Sequence, residues 1–218
     1  MNIFNQLTVK PWEITGLPDR KTQASDKRPQ SPQRVALKFF LGVVAVLFLL
    51  LIFAYAGRMG YEDWRPVPQI KLMWANSLVL LLACMAFEVA RFAARHGRQK
   101  MLRTGLLAAG LFTLSFFYGQ FLAWQQMASL SYFQITNPAI AFFYLITGLH
   151  GLHLIGGLTV WGKTCVKVWG AFDPAKVLQS IELCTLYWHC LFLVWLVLFG
   201  LLFTGDNLDI LLTICGIR

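Results

Sequence analysis

Five blocks of this chain, at about residues 37–56, 72–94, 101–124, 138–162 and 178–203, are each apolar for twenty residues or more. Roughly 20 helical residues cross a hydrocarbon core. Inside that core every backbone N–H and C=O needs a partner within the protein, which a lone segment finds only as a helix. Five such blocks leave little chain for a soluble domain. The sequence therefore predicts an all-α integral membrane protein, a five-transmembrane-helix bundle over residues 32–204, with a polar cytoplasmic tail at 1–31 and a short external tail at 205–218.

Only 13% of the residues are charged, so the position of each one matters. Fifteen of the nineteen Lys and Arg residues fall in the segment before the first span, the loop from Arg91 to Arg103 and the loop from Lys163 to Lys176. The other four are Arg58, Arg65, Lys71 and Arg218, and the loop at 125–137 has none. Positive charge is retained on the cytoplasmic side, which places the N-terminus in the cytoplasm and the C-terminus outside. The net charge of +9 is thus a topological signal, and no nucleic-acid partner is expected. The basic tail suits anionic headgroups.

Three spans open with a polar residue before proline: Ser31-Pro32, Asn137-Pro138 and Asp173-Pro174. The side-chain oxygen caps an orphan N–H, and proline takes the first helical position, where a donor would go unused. Tyr61, Trp64, Trp124 and Tyr132 suit an outer aromatic belt. The fourth block carries Gly148, Gly151, Gly156, Gly157 and Gly162, small residues that let helices approach closely in lipid. Cys84, Cys165, Cys184, Cys190 and Cys215 show no metal-ligand spacing, and those inside spans read as packing.

Ionisable groups at membrane depth are expensive and are retained for a purpose. His150 and His153 share a helix face, and His153 lies roughly 13 Å from the inner end of its span. His189, on the next helix, is roughly 16 Å from the same side, and Glu182 precedes it by seven residues. The pattern predicts a polar seam of Glu182, His189, His153 and His150 between the last two helices. Three uses of that seam stay open: fixing helix register, holding or conducting a proton, and ligating a metal or heme, for which no compact motif exists. Glu88 and Arg91 are spaced for an ion pair on one helix. No phosphate loop, nucleophile elbow or paired carboxylate occurs, and no complete catalytic site is expected.

Two stretches carry a family resemblance. Phe142-Phe143-Tyr144-Leu145-x-Thr147-Gly148-x-His150-Gly151-x-His153 and Glu182…Tyr187-Trp188-His189…Trp195 resemble, in order and spacing, the signature of subunit III of the heme-copper terminal oxidases. Trp64-x-Pro66, Asn76-Ser77 and Gln120…Trp124 are weaker matches. The resemblance implies a five-helix bacterial form in the inner membrane, without redox centre, metal or cofactor of its own. It implies catalytic subunit I and other subunits as partners, with heme and copper held by those partners. It also implies bound phospholipids and support of complex stability and of proton uptake by subunit I, during reduction of dioxygen to water. Ala45 stands where the family often has a membrane glutamate, and Phe192 where an aspartate commonly follows Tyr-Trp-His. Other readings are the accessory subunit of a nitric oxide reductase, a small b-type cytochrome using His150, His153 or His189 as axial ligands, and a transporter, against which stands the lack of internal repeats.

Overall fold

A computed structural model of the chain describes residues 32–68, 70–130, 137–170 and 173–203. The described residues form five helices and no strand: α1 Pro32–Arg58, α2 Leu72–Arg95, α3 Gln99–Leu130, α4 Pro138–Trp169 and α5 Pro174–Phe203. Each is long and apolar enough to cross a membrane. Every expected span is present, and α1, α3, α4 and α5 extend beyond the apolar blocks by about a turn or more. Both expected tails, the Ser31 cap, Tyr132 and Cys215 lie outside the described residues. By contact the chain divides into residues 1–35, of which 32–35 form the first turn of α1, and residues 36–218, whose described part forms the bundle.

Local chemistry sets the helix ends. The Asn137 side chain accepts from Ala139 N at 3.1 Å, with Pro138 at the first helical position. Its amide also donates to Arg65 O at 2.9 Å, which pins the α1–α2 connection to the start of α4. Asp173 caps α5 in the same way, through Ala175 N at 3.0 Å. Between α2 and α3, Gly97 takes a φ of +66°. There Arg98 N bonds Ala93 O and Gly97 N bonds Ala94 O. These are the two bonds of a Schellman ending, which needs a residue without a Cβ penalty at that position. The short turn forces α2 and α3 to run antiparallel.

Helices α2, α3, α4 and α5 enclose a common core, with α2 against α3 and α5, and α4 against α5 and α3. Helix α5 is the most buried of the five and α1 the least. The α2–α3 pair is close because α3 is notched: a Cβ at Gly105 would lie 3.0 Å from Ala90 N, and one at Gly119 would enter the Asn76 side chain. Helix α1 meets the others through rings, Phe48 on His150 and His153, and Phe40 on His153 and Tyr187. At the far end from Arg95, Tyr55 of α1 holds Trp64 and Phe142 edge-on, so Trp64 packs inward.

Candidate functional site

Two tryptophans of α5, seven residues apart and thus on one helix face, organise the core. Trp188 is 1% exposed and Trp195 is fully buried. Trp188 Nε1 donates to Thr113 Oγ1 of α3 at 3.1 Å, and its ring lies 4.5 Å from that of Phe87 of α2. Its carbonyl accepts from Cys84 Sγ at 3.7 Å. One turn pair further on, Trp195 Nε1 donates to Ser77 Oγ of α2 at 2.9 Å, and its ring meets Phe116 of α3 and His150 of α4. Each indole therefore ties α5 to its neighbours by one hydrogen bond and a set of ring contacts. The polar N–H is satisfied inside the protein, as hydrocarbon requires. Tyr187, next to Trp188, turns the other way and donates to His153 O of α4 at 2.8 Å.

The histidines do not meet. His150 is fully buried among Phe48, Phe116 and Trp195, with ring centroids 6.3, 6.0 and 5.1 Å away. Neither of its ring nitrogens has a hydrogen-bond partner among the described residues. His153 binds its own helix, Nδ1 to Leu149 O at 2.8 Å, and faces α1. His189 also binds its own helix, Nδ1 to Thr185 O at 2.7 Å, and its Nε2 lies 3.5 Å from Glu88 Oε1 of α2. Glu182 accepts from Arg95 Nη2 at 2.7 Å, again on α2.

The expected seam between α4 and α5 is thereby corrected. Glu182 and His189 do share a face of α5, but that face turns toward α2, while His150 and His153 look toward the core and α1. A similar distance along two helices does not fix the direction in which a side chain points. Glu88 and Arg91 pair at 2.7 Å, as their spacing predicts.

The glycine pattern is redistributed as well. Of the α4 set only Gly157 is at a tight approach, with a Cβ there 2.7 Å from Tyr187 Cε1 and 2.9 Å from Trp188 Cη2. Gly148, Gly151 and Gly156 have ordinary room, the nearest atoms being at 3.6–3.9 Å, and Gly162 is open. The notches that sequence reasoning missed are on α3: a Cβ at Gly110 would enter the Trp161 ring, and Gly119 was noted above. Ser77 and Thr147 were noted only as members of the motifs and Thr113 not at all, yet their hydroxyls receive indoles, Thr147 accepting from Trp124 Nε1 at 3.1 Å. A hydroxyl residue inside an apolar block was the available signal.

In lipid the helices before assembly also keep the His150 imidazole from water, but there its two nitrogens find other polar partners that the folded core denies them, at about 0.6 kcal/mol per bond. His150→Leu, similar in volume, is accordingly expected to raise stability by about 1 kcal/mol. Unfolding in a denaturing detergent followed by circular dichroism checks this, and a clear loss of stability would show that the imidazole is partnered.

Among the described residues no group of three or more His, Cys, Asp or Glu side chains could hold a metal ion. Cys84 bonds Trp188 O, and Cys184 lies 3.4 Å from Thr164 Oγ1, so both serve helix packing. The motif side chains Thr147, Tyr187, Trp188 and Trp195 hold helices together.

Comparison with known proteins agrees with that architecture. The family model described as cytochrome c oxidase subunit III matches residues 39–205. The probable cytochrome c oxidase subunit 3 of Mycobacterium tuberculosis is 32% identical over 171 residues, covering 77% of this chain and 81% of the relative. Cytochrome c oxidase subunit 3 of Synechocystis is 27% identical over 173 residues, 75% and 72% of the two chains. The heme-copper oxidase subunit I+III of Aeropyrum pernix is 22% identical over 184 residues, 79% of this chain and 23% of that protein. Five membrane-length helices, the two tryptophan pillars of α5 and a family match that runs through all of them lead to one conclusion: the chain belongs to the cytochrome c oxidase subunit III family.

Proposed function

We propose that this chain is the non-catalytic subunit III of a bacterial respiratory terminal oxidase, seated in the inner membrane with its N-terminus in the cytoplasm. The observation that carries the reading is the use of the family's motif residues: Trp188 and Trp195 bind α2, α3 and α4 internally, so the chain is a scaffold. Heme and copper belong to the partner subunits, where dioxygen is reduced to water with electrons from cytochrome c or quinol. The contribution of this chain is to stabilise that complex, to order lipid beside it and to sustain proton uptake by subunit I. One relative is named as a fusion of subunits I and III, which favours direct association with subunit I.

Lipid binding is supported by the way α1 stands off the bundle on its rings. An apolar cavity of about 300 Å³ opens between α1, α4 and α5, lined by Leu37, Phe40, Gly156, Val160, Tyr187 and Trp188. A wider apolar groove of about 520 Å³ lies between α1 and α4 against Leu47, Leu50, Leu145 and Leu149. Both suit acyl chains, which need apolar walls and no hydrogen bonds. Near the ends of α3 and α4, a notch with Arg103 and Lys167 offers positive charge of the kind that headgroups favour.

The Arg95–Glu182 pair ties α2 to α5 at the basic end of the bundle. Glu182→Ala leaves the guanidinium without this carboxylate and is expected to lower the fraction of subunit retained in the purified oxidase, with a shorter active lifetime during turnover. Subunit stoichiometry by mass spectrometry, together with activity decay, checks this. Equal stoichiometry and lifetime in variant and parent would refute it.

A further inference from the structure

We propose that the groove between α3 and α4 at the level of Gln120 holds one acyl chain of a phospholipid, whose ester carbonyl accepts from Gln120 Nε2. This extends the lipid-ordering part of the functional reading to a place apart from the cavities beside α1, and it rests on that reading for the membrane setting.

Two unrelated observations meet in this groove. The first is a pair of glycines that the fold does not require. A Cβ at Gly148 would rest 3.8 Å from the Trp124 ring and one at Gly151 would rest 3.6 Å from Phe117, both ordinary contacts. Alanine would fit the chain at either position, and in a helix interior it is the more favourable residue. Both glycines line the groove, so the room they leave serves something that approaches the α4 backbone from outside the chain.

The second observation is an amide. Gln120 also lines the groove and is 5% exposed. Its Oε1 accepts from Asn76 Nδ2 at 3.5 Å, while Nε2 has no partner among the described residues. A bond of that length is weak, so little keeps the amide from turning toward an acceptor. Thr147, at one end of the groove, is fully engaged: its hydroxyl donates to Phe143 O at 2.7 Å and accepts from Trp124 Nε1 at 3.1 Å. An unsatisfied N–H in an apolar setting is costly, which favours an acceptor brought in by a ligand.

Size and depth identify that ligand. The groove follows α4 from Thr147 to Ile155, about 12 Å, and its volume is about 270 Å³. The mean section is then about 20 Å², which suits one hydrocarbon chain and is far too narrow for a helix about 10 Å across. Phe117, Phe121 and Ile155 supply apolar walls. Gln120 lies about 7 Å further in along α3 than the exposed pair Gln125 and Gln126. That level is beneath the headgroups, and the ester carbonyls are the innermost acceptors of a phospholipid.

The experiment uses the purified complex in vesicles that carry a trace of phosphatidylglycerol with a photo-reactive group on its chain. A second probe is identical except for ether linkages in place of the esters. Adducts on this chain are mapped by mass spectrometry. The diester probe is expected to label the segments around Phe121 and Ile155 more strongly than Leu111, which is 64% exposed on α3 outside the groove. The diether probe should label them about threefold less, as one bond in lipid predicts. Gln120→Met should erase the difference between the probes, and Gly151→Leu, which fills the groove, should remove the enrichment over Leu111 for both. Gly151→Ala should leave the unfolding midpoint in detergent unchanged; a lowered midpoint would mean that the fold itself needs the glycine and would overturn the proposal. Uniform labelling, equal labelling by the two probes, or displacement of the diester by a naphthoquinone would overturn it as well. In those cases a copurifying heme-copper subunit would leave the functional reading standing. Its absence would sink that reading separately, because the adducts are scored on this chain alone.

Discussion

Replacing Trp188 with alanine is expected to destabilise the bundle by about 3–4 kcal/mol, enough to unfold a marginal membrane protein during purification. In lipid the usual transfer term is nearly absent, because the unfolded helices are also surrounded by hydrocarbon. What remains is the cavity. Trp188 is 1% exposed and held between Phe87, Thr113 and the Gly157 notch, so its neighbours have little room to collapse. A void on the order of 140 Å³ at ~24 cal/mol per Å³ comes to about 3 kcal/mol. Loss of the bond to Thr113 adds about 0.6 kcal/mol, the mean for side-chain bonds in membrane proteins. Trp188→Phe, which keeps one aromatic ring, loses the bond and leaves a much smaller void, should cost about 1.5 kcal/mol. Equilibrium unfolding in mixed detergent micelles measures both. An alanine variant within 1 kcal/mol of the parent would mean that the indole is not the pillar described above.

How much of this could be read from the sequence follows from what each signal encodes. Apolar length and capping chemistry depend on neighbours in the chain, so the five spans and the caps at Asn137 and Asp173 were legible. The azimuth of a side chain was not. Glu182 and His189 were correctly placed on one face, but whether that face looks at α2 or α4 depends on the order of helices around the core, which no local pattern encodes. The same holds for small residues. Five glycines clustered in α4 drew attention by number, yet the closest approaches are at Gly157 and at Gly110 and Gly119, which are scattered along α3. Tightness at a glycine is set by the ring or amide that arrives from another helix. Cys84 was read as packing and does pack, through a bond to Trp188 O that no pattern around Cys84 announces.

The neighbouring pair Gly156 and Gly157 turns this into a discriminating measurement. A Cβ at Gly157 would stand 2.7 Å from Tyr187 and 2.9 Å from Trp188. Neither ring can yield freely, because Tyr187 is bonded to His153 O and Trp188 to Thr113 Oγ1. Gly157→Val brings two further carbons into that space, so α4 and α5 must separate or both aromatic anchors must leave their partners. The expected loss is about 3 kcal/mol, the upper part of the range for overpacked cores. At Gly156 the nearest atom is the Tyr187 hydroxyl, 3.9 Å from the built Cβ. Gly156→Ala should therefore fall within about 0.5 kcal/mol of the parent, as for substitutions that meet no buried neighbour. Both variants are read by the same detergent unfolding assay, with subunit retention in the complex as an independent signal. Equal stability for the two would show that α4 and α5 are not in the close contact on which the placement of Trp188 depends.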